Sequence, residues 1–262
     1  MKQLLISRRE ALFAAAVSGL ASACHGSEAP TPAATSSAEP DDSDTKELAY
    51  ATGGDLGENE RGGTTVVMLH GFGASADDLV ALARTLYHPR TRYIVPAGPI
   101  ELSNGGRAWW PMLGHARYDE DQVLVAPSEK LELAREAVRA LLAKLRKRLA
   151  PDALVLLGFS QGAMLALDVA LAPNSGVARV AVLSGALLAD VVSELSNGKR
   201  GTPNVFVSHG RQDPILKFQG AQHLVKVLKE HDLSVRFRAF DGGHEIPEEI
   251  TADLKAFVSD EA

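Results

Sequence analysis

Between residues 153 and 167 the chain changes its hydrophobic pattern within a single short break. Ala153-Leu154-Val155-Leu156-Leu157 is a continuous apolar run of strand length, and Ala163-Met164-Leu165-Ala166-Leu167 is a run of good helix formers. Only Gly158-Phe159-Ser160-Gln161-Gly162 separates them. A buried strand must therefore turn into a helix almost at once, with a serine at the tip of the turn. Glycines on both sides of such a turn let strand and helix backbones approach where a Cβ would collide. Little else satisfies this pattern than a βα unit of a sheet covered by helices.

The flanking sequence repeats that unit. Thr64–Leu69, Arg92–Val95, Val177–Leu183 and Asn204–Val207 are β-branched or apolar runs that read as buried strands. Asp77–Tyr87, Ser128–Leu149, Phe218–His231 and Pro247–Val258 carry apolar residues at helical spacing. In Ser128–Leu149 the stripe runs through Leu131, Ala134, Val138, Leu141, Leu142, Leu145 and Leu149; Lys144, Arg146, Lys147 and Arg148 then lie on a solvated face near the helix C-terminus, where cations suit the macrodipole. Val235–Phe240 alternates apolar and polar residues, as a strand near a sheet edge does. The order predicts an α/β fold, a mostly parallel sheet with helices on both faces. The stretch between Leu183 and Asn204, about 20 residues, leaves no room for a large lid.

A serine hydroxyl is a weak nucleophile and needs a base held by a third group. In strand–turn–helix serine sites the chain order is serine, then acid, then histidine. Asp213, in His209-Gly210-Arg211-Gln212-Asp213-Pro214, and His244, in Asp241-Gly242-Gly243-His244-Glu245, each follow a predicted strand, so both fall where sites of open α/β sheets collect. His223 and His231 fall in or at the end of a helix, His209 precedes the acid, Asp190 follows the strand containing Val182, and Asp241 stands too close to His244; these are weaker candidates. The oxyanion of a tetrahedral intermediate needs preorganised N–H donors. The backbone amides of Gln161 and of Phe72, in Leu69-His70-Gly71-Phe72-Gly73, are the candidates, with His70 bracing its loop. In the loop between residues 103 and 122, Trp109, Trp110 and Met112 read equally as an acyl pocket or as packing onto the domain body.

The N-terminus is of another kind. Lys2, Arg8 and Arg9 precede the apolar run Ala11–Leu20, which is too short to span a bilayer, and small residues follow. This is an export signal; Ser7-Arg8-Arg9 with Leu12 and Phe13 resembles a twin-arginine signal, an ordinary secretory signal being the alternative. Ala21-Ser22-Ala23-Cys24 resembles a bacterial lipobox, with Cys24 as the lipidated residue and membrane tether, and is equally an A-x-A cleavage site. Residues 1–24 are thus a signal, and 25–60 an Ala/Pro/Ser/Thr-rich tether and turn-rich lead-in. Residues 61–262 are one catalytic domain. The single cysteine excludes an intrachain disulfide and a cysteine metal cluster, and 27 Lys+Arg against 33 Asp+Glu gives no nucleic-acid footprint.

Leu69-His70-Gly71-Phe72-Gly73, Gly158-Phe159-Ser160-Gln161-Gly162-Ala163, His209-Gly210 through Asp213-Pro214, and Gly243-His244 together resemble the carboxylesterase/phospholipase branch of the α/β-hydrolases, which includes the acyl-protein thioesterases. The resemblance implies an α/β-hydrolase fold without a large lid. It also implies a serine carboxylesterase acting on short- to medium-chain acyl esters, with no metal or organic cofactor. The chain departs from the intracellular members in carrying an export signal, which sets aside cytosolic protein thioesters. A feruloyl or acetyl polysaccharide esterase, a lysophospholipase-type activity and a non-catalytic binding protein on the same fold are the competing expectations.

Overall fold

The computed structural model describes residues 48–57, 59–112, 117–126, 128–198 and 200–260. The signal, Cys24 and most of the 25–60 segment lie outside the described residues. Strands β1 (Tyr50–Gly54), β2 (Thr64–Leu69), β3 (Thr91–Pro96), β4 (Ile100–Glu101), β5 (Arg107–Ala108), β6 (Arg117–Tyr118), β7 (Leu124–Val125), β8 (Ala153–Phe159), β9 (Arg179–Leu183), β10 (Asn204–Gly210) and β11 (Val235–Phe240) follow one another in the chain. Helices α1 (Ala76–Thr85), α2 (Ser128–Leu149), α3 (Gln161–Leu171), α4 (Ala189–Ser196), α5 (Phe218–Glu230) and α6 (Glu248–Ser259) lie between and after them.

Seven strands form the main sheet in the order β1-β3-β2-β8-β9-β10-β11. All neighbours pair parallel except β1, which runs antiparallel to β3. The pleat divides the core. Val67 and Leu69 of β2 with Leu156 of β8 pack against α2, α3, α4 and α5, whereas Val66 and Met68 with Val155 and Leu157 pack against α1 and α6. Because the strands are buried on both faces they read as unbroken apolar runs, and β11 alternates because it is an edge. Among the described residues, α4, eight residues long, is the one helix between β9 and β10.

The sheet begins earlier than the residue-61 boundary expected from sequence. Tyr50–Gly54 belongs to it, with Tyr50 opposite Pro96 and Gly54 opposite Arg92. As an edge strand it needs pairing on one side only, and the Tyr50 hydroxyl accepts from Arg148 at 3.2 Å. The basic end of α2 is therefore tied in part to the sheet rather than wholly solvated; Arg146 likewise donates to the carbonyls of Asn174 and Ser175.

One ion-pair cluster holds α3 in place. Arg135 of α2, with a side chain 6% exposed, reaches Asp168 of α3 at 2.6 Å, Asp190 of α4 at 2.9 Å and Glu132 at 3.1 Å. Asp168 is fully buried, and that burial pushes its carboxyl up to about 6 against the pull of Arg135. Asp190, a weaker candidate acid by sequence, serves this cluster.

Candidate active site

Ser160 follows β8 and stands at the N-cap of α3 with φ 53° and ψ −118°, a left-handed backbone that side-chain-bearing residues rarely adopt. Its neighbours hold it there. Its N–H donates to the Leu183 carbonyl at 2.9 Å, and its carbonyl accepts from Ala163 at 3.0 Å. The two flanking glycines are required by contact rather than by their own torsions. A Cβ on Gly158 would stand 2.2 Å from the Gly162 carbonyl oxygen, and one on Gly162 would stand 2.2 Å from that of Leu69. Both obstacles are backbone, so neither can swing aside.

Three strand ends converge at this edge of the sheet. Ser160 follows β8, Asp213 follows β10 and His244 follows β11. His244 Nδ1 lies 2.7 Å from Asp213 Oδ2, and its ring packs on Phe159 with centroids 4.9 Å apart. Asp213 Oδ1 accepts from the N–H groups of Ile215 at 2.8 Å and Leu216 at 2.9 Å. Burial alone would raise the Asp213 carboxyl, but hydrogen bonds from His209 and His244, the His244 charge and the Leu216 N–H together hold it well below the ordinary carboxylate range. An ionised carboxylate at this distance orients the His244 ring through Nδ1 and leaves Nε2 on the far side of the ring.

Ser160, Gln161 and His244 line one open cleft of about 340 Å³, whose other walls are Phe72, Met112, Tyr118, Met164, Ile215 and Leu216. The cleft is apolar apart from the reacting groups, as a site for an acyl chain is. Past Tyr118, Ile215 and Leu216 it adjoins a second space of about 230 Å³ that Gln122 and Lys217 also line. Tyr118 is 37% exposed, yet burial around its hydroxyl and then the Asp213 charge push the phenol above its ordinary value, so it remains a donor. No sequence signal singles out Tyr118. It stands on a two-residue strand among Arg117, Asp119, Glu120 and Asp121, with no apolar period around it.

Of the three residues considered for the substrate wall, only Met112 is there. Trp109 and Trp110 are fully buried in the core and line neither space, which corrects the pocket alternative in favour of packing. Their work is to brace the cleft from behind. Trp109 Nε1 donates to the His70 carbonyl at 2.9 Å, and the Gln161 side chain bridges the pair: Oε1 accepts from Trp109 N–H at 2.9 Å and Nε2 donates to the Trp110 carbonyl at 2.8 Å. The sequence points to Gln161 only for its backbone amide, which opens α3, where the first N–H groups have no intrahelical partner.

Phe72 borders the same cleft on the loop after β2. His70 holds that loop: Nδ1 donates to the Gly71 carbonyl at 2.8 Å, and Nε2 accepts from Gly98 N–H at 2.9 Å. Burial lowers its pKa, outweighing the Gly71 hydrogen bond that raises it, so the ring is neutral and structural. Among the described residues no group of three or more His, Cys, Asp or Glu side chains is placed to hold a metal ion.

A helix-covered, mostly parallel sheet with a serine on a strained strand–helix turn, an acid and a histidine at successive strand ends defines an α/β-hydrolase. The profile of the phospholipase/carboxylesterase family matches residues 58–261, and the chain belongs to that family of carboxylic ester hydrolases. It is similar to acyl-protein thioesterase 1 of Mycosarcoma maydis, 29% identical over 215 residues that span 74% of this chain and 89% of that protein. It is also similar to carboxylesterase SOBER1 of Arabidopsis thaliana, 26% identical over 203 residues, 70% of this chain and 84% of that one. Among solved structures, esterase PE8 superimposes with a TM-score of 0.70 at 25% identity, covering 82% of this chain and 99% of that one.

Proposed function

We propose that the protein is an exported serine carboxylesterase that hydrolyses short- to medium-chain acyl esters through an acyl-enzyme on Ser160. The observation that carries this reading is that Ser160, on its strained turn, faces the same apolar cleft as His244, whose Nδ1 is held by the ionised Asp213. His244 Nε2 takes the Ser160 proton as Oγ attacks the ester carbonyl. The backbone N–H groups of Gln161 and Phe72 receive the oxyanion, and Asp213 stabilises the imidazolium. His244 then protonates the departing alcohol. Water, deprotonated by the same nitrogen, attacks the acyl-enzyme and releases the acid.

The apolar walls set by Met112, Met164 and Leu216 support an acyl chain as the group the cleft takes, and the short α4, the one helix between β9 and β10 among the described residues, supports soluble esters as substrates. Initial rates on p-nitrophenyl esters with acyl chains from acetate to palmitate test this: the reading expects an optimum at short or medium chains. A maximum at palmitate, or turnover of feruloyl esters alone, would overturn it. Export rests on the Arg8-Arg9 signal and a tether through Cys24 on the lipobox resemblance. Incorporation of labelled fatty acid by the wild type and not by Cys24→Ala supports the tether, and equal labelling of both refutes it.

A further inference from the structure

The Asp213 carboxylate has three hydrogen-bond donors and a fourth nitrogen within ion-pair distance, and that fourth comes from a residue to which the chemistry above gives no part. Oδ1 takes the N–H groups of Ile215 and Leu216, and Oδ2 takes Nδ1 of His244. The remaining approach to Oδ2 is filled by Nε2 of His209, at 3.2 Å. His209 is the next-to-last residue of strand β10, fully buried, and the same Nε2 lies 2.8 Å from the Leu216 carbonyl.

The protonation of this ring follows from its surroundings. Nδ1 is buried and has no hydrogen-bond partner among the described residues, so a proton there would be a buried donor without an acceptor. Both neighbours of Nε2 are oxygens that accept only. The Nε2 proton is therefore directed at Leu216 O at 2.8 Å, with Asp213 Oδ2 3.2 Å from the same nitrogen. A carboxylate rotates readily about its last torsion. Without the fourth donor, Oδ2 would keep a lone pair turned into a dry pocket, and rotation or an intruding water would relieve it. Either response draws Oδ2 off His244.

We infer that His209 is a positioning residue: its Nε2–H locks the plane of the Asp213 carboxylate onto Nδ1 of His244 and ties that carboxylate to the cleft wall at Leu216. The inference rests on reading Ser160, Asp213 and His244 as the catalytic set. The competing role, a ring that fills the core beside Phe218 at 6.3 Å between centroids, makes no use of the proton on Nε2.

Replacement series in the full chain separate the two. A glutamine at 209 places its amide nitrogen about where Nε2 stands, an asparagine places its own about where Nδ1 stands, and a leucine supplies bulk with no donor. His209→Asn and His209→Leu are expected to lose about tenfold to a hundredfold in kcat with KM for p-nitrophenyl butyrate little changed, the effect of a lost hydrogen bond to a charge. His209→Gln is expected to stay within about threefold of the wild type. The downfield proton resonance of the His244–Asp213 hydrogen bond is expected to persist in the Gln variant and to shift or vanish in the Asn variant. Added to Asp213→Asn, His209→Asn should cost almost nothing further. Equal kcat in the Gln and Asn variants, an unmoved resonance in both, or failure of both to fold would overturn the role. Ser160→Ala reports on the parent reading separately. If it abolishes turnover while His209→Asn keeps the wild-type kcat and resonance, only the positioning role falls.

Discussion

Gln161 joins the Ser160 turn to the tryptophan segment, and the Gln161→Met variant measures that join. The side chain is 1% exposed and satisfies two buried backbone groups, the Trp109 N–H at 2.9 Å and the Trp110 carbonyl at 2.8 Å. Methionine matches its length but offers neither donor nor acceptor, so both groups are left unmet inside the core. Each such group costs about 1–3 kcal/mol, which makes roughly 2–6 kcal/mol for the pair. That is a large part of the ~5–15 kcal/mol by which a domain is stable. At about 2–4 °C per kcal/mol for a domain of this size, Tm should fall by at least about 4 °C. The backbone N–H of residue 161 is untouched, so the proposed oxyanion donor survives. The segment carrying Met112 is loosened, and KM should rise more than kcat falls. Thermal melts and steady-state kinetics on p-nitrophenyl butyrate give both quantities. A Tm within about 1 °C of the wild type would refute the view that this bridge fixes the cleft wall.

Three further outcomes follow from the same geometry. Asp213 is ionised in the fold well below the 3.8 at which it titrates in the unfolded chain, so its contribution to stability is present above that pH and is lost as pH falls below it; Asp213→Asn should flatten acid destabilisation below about pH 4 in denaturant titrations, and an unchanged acid profile would contradict this. Arg135→Leu leaves Asp168 buried without its partner, a cost of about 3–5 kcal/mol once the carboxylate is ionised; burial already raises the Asp168 carboxyl to about 6 and loss of the guanidinium raises it further, so the deficit should widen as pH rises above about 6, and a deficit independent of pH would count against the pairing. Met112→Phe narrows the cleft: while a chain is being buried each methylene adds about 0.8 kcal/mol, about fourfold in kcat/KM, and the variant should lose that gain at a shorter acyl length than the wild type does, an identical chain-length profile being the contrary result.

Residues whose role is fixed by their own neighbours in sequence were readable in advance. Gly158 and Gly162 flank Ser160 because the strand and helix they join must touch, and the 2.2 Å approaches to backbone oxygens state that requirement in space. Asp213 and His244 were readable because parallel strands bring their carboxyl ends to one edge of the sheet. Trp109 and Trp110 were not decidable, since an apolar side chain has the same composition whether it faces a ligand or a core; only the bridge from Gln161, more than fifty residues away, turns them inward. Strand β1 was hidden because Tyr-Ala-Thr-Gly-Gly has no alternation, an edge strand being held by its partner β3 rather than by a buried face. Tyr118 and the Arg135–Asp168 pair depend on contacts between elements far apart in the chain, and polar residues carry no period that would announce such contacts.

The proposed chemistry makes Ser160 the nucleophile, activated by His244. Intact-mass measurement after treatment with a fluorophosphonate, followed by peptide mapping, tests it most directly. A single adduct on Ser160 is expected in the wild type, slow or absent labelling in His244→Ala, and none in Ser160→Ala together with loss of p-nitrophenyl butyrate hydrolysis. An adduct on another residue, or hydrolysis that survives in Ser160→Ala, would contradict it.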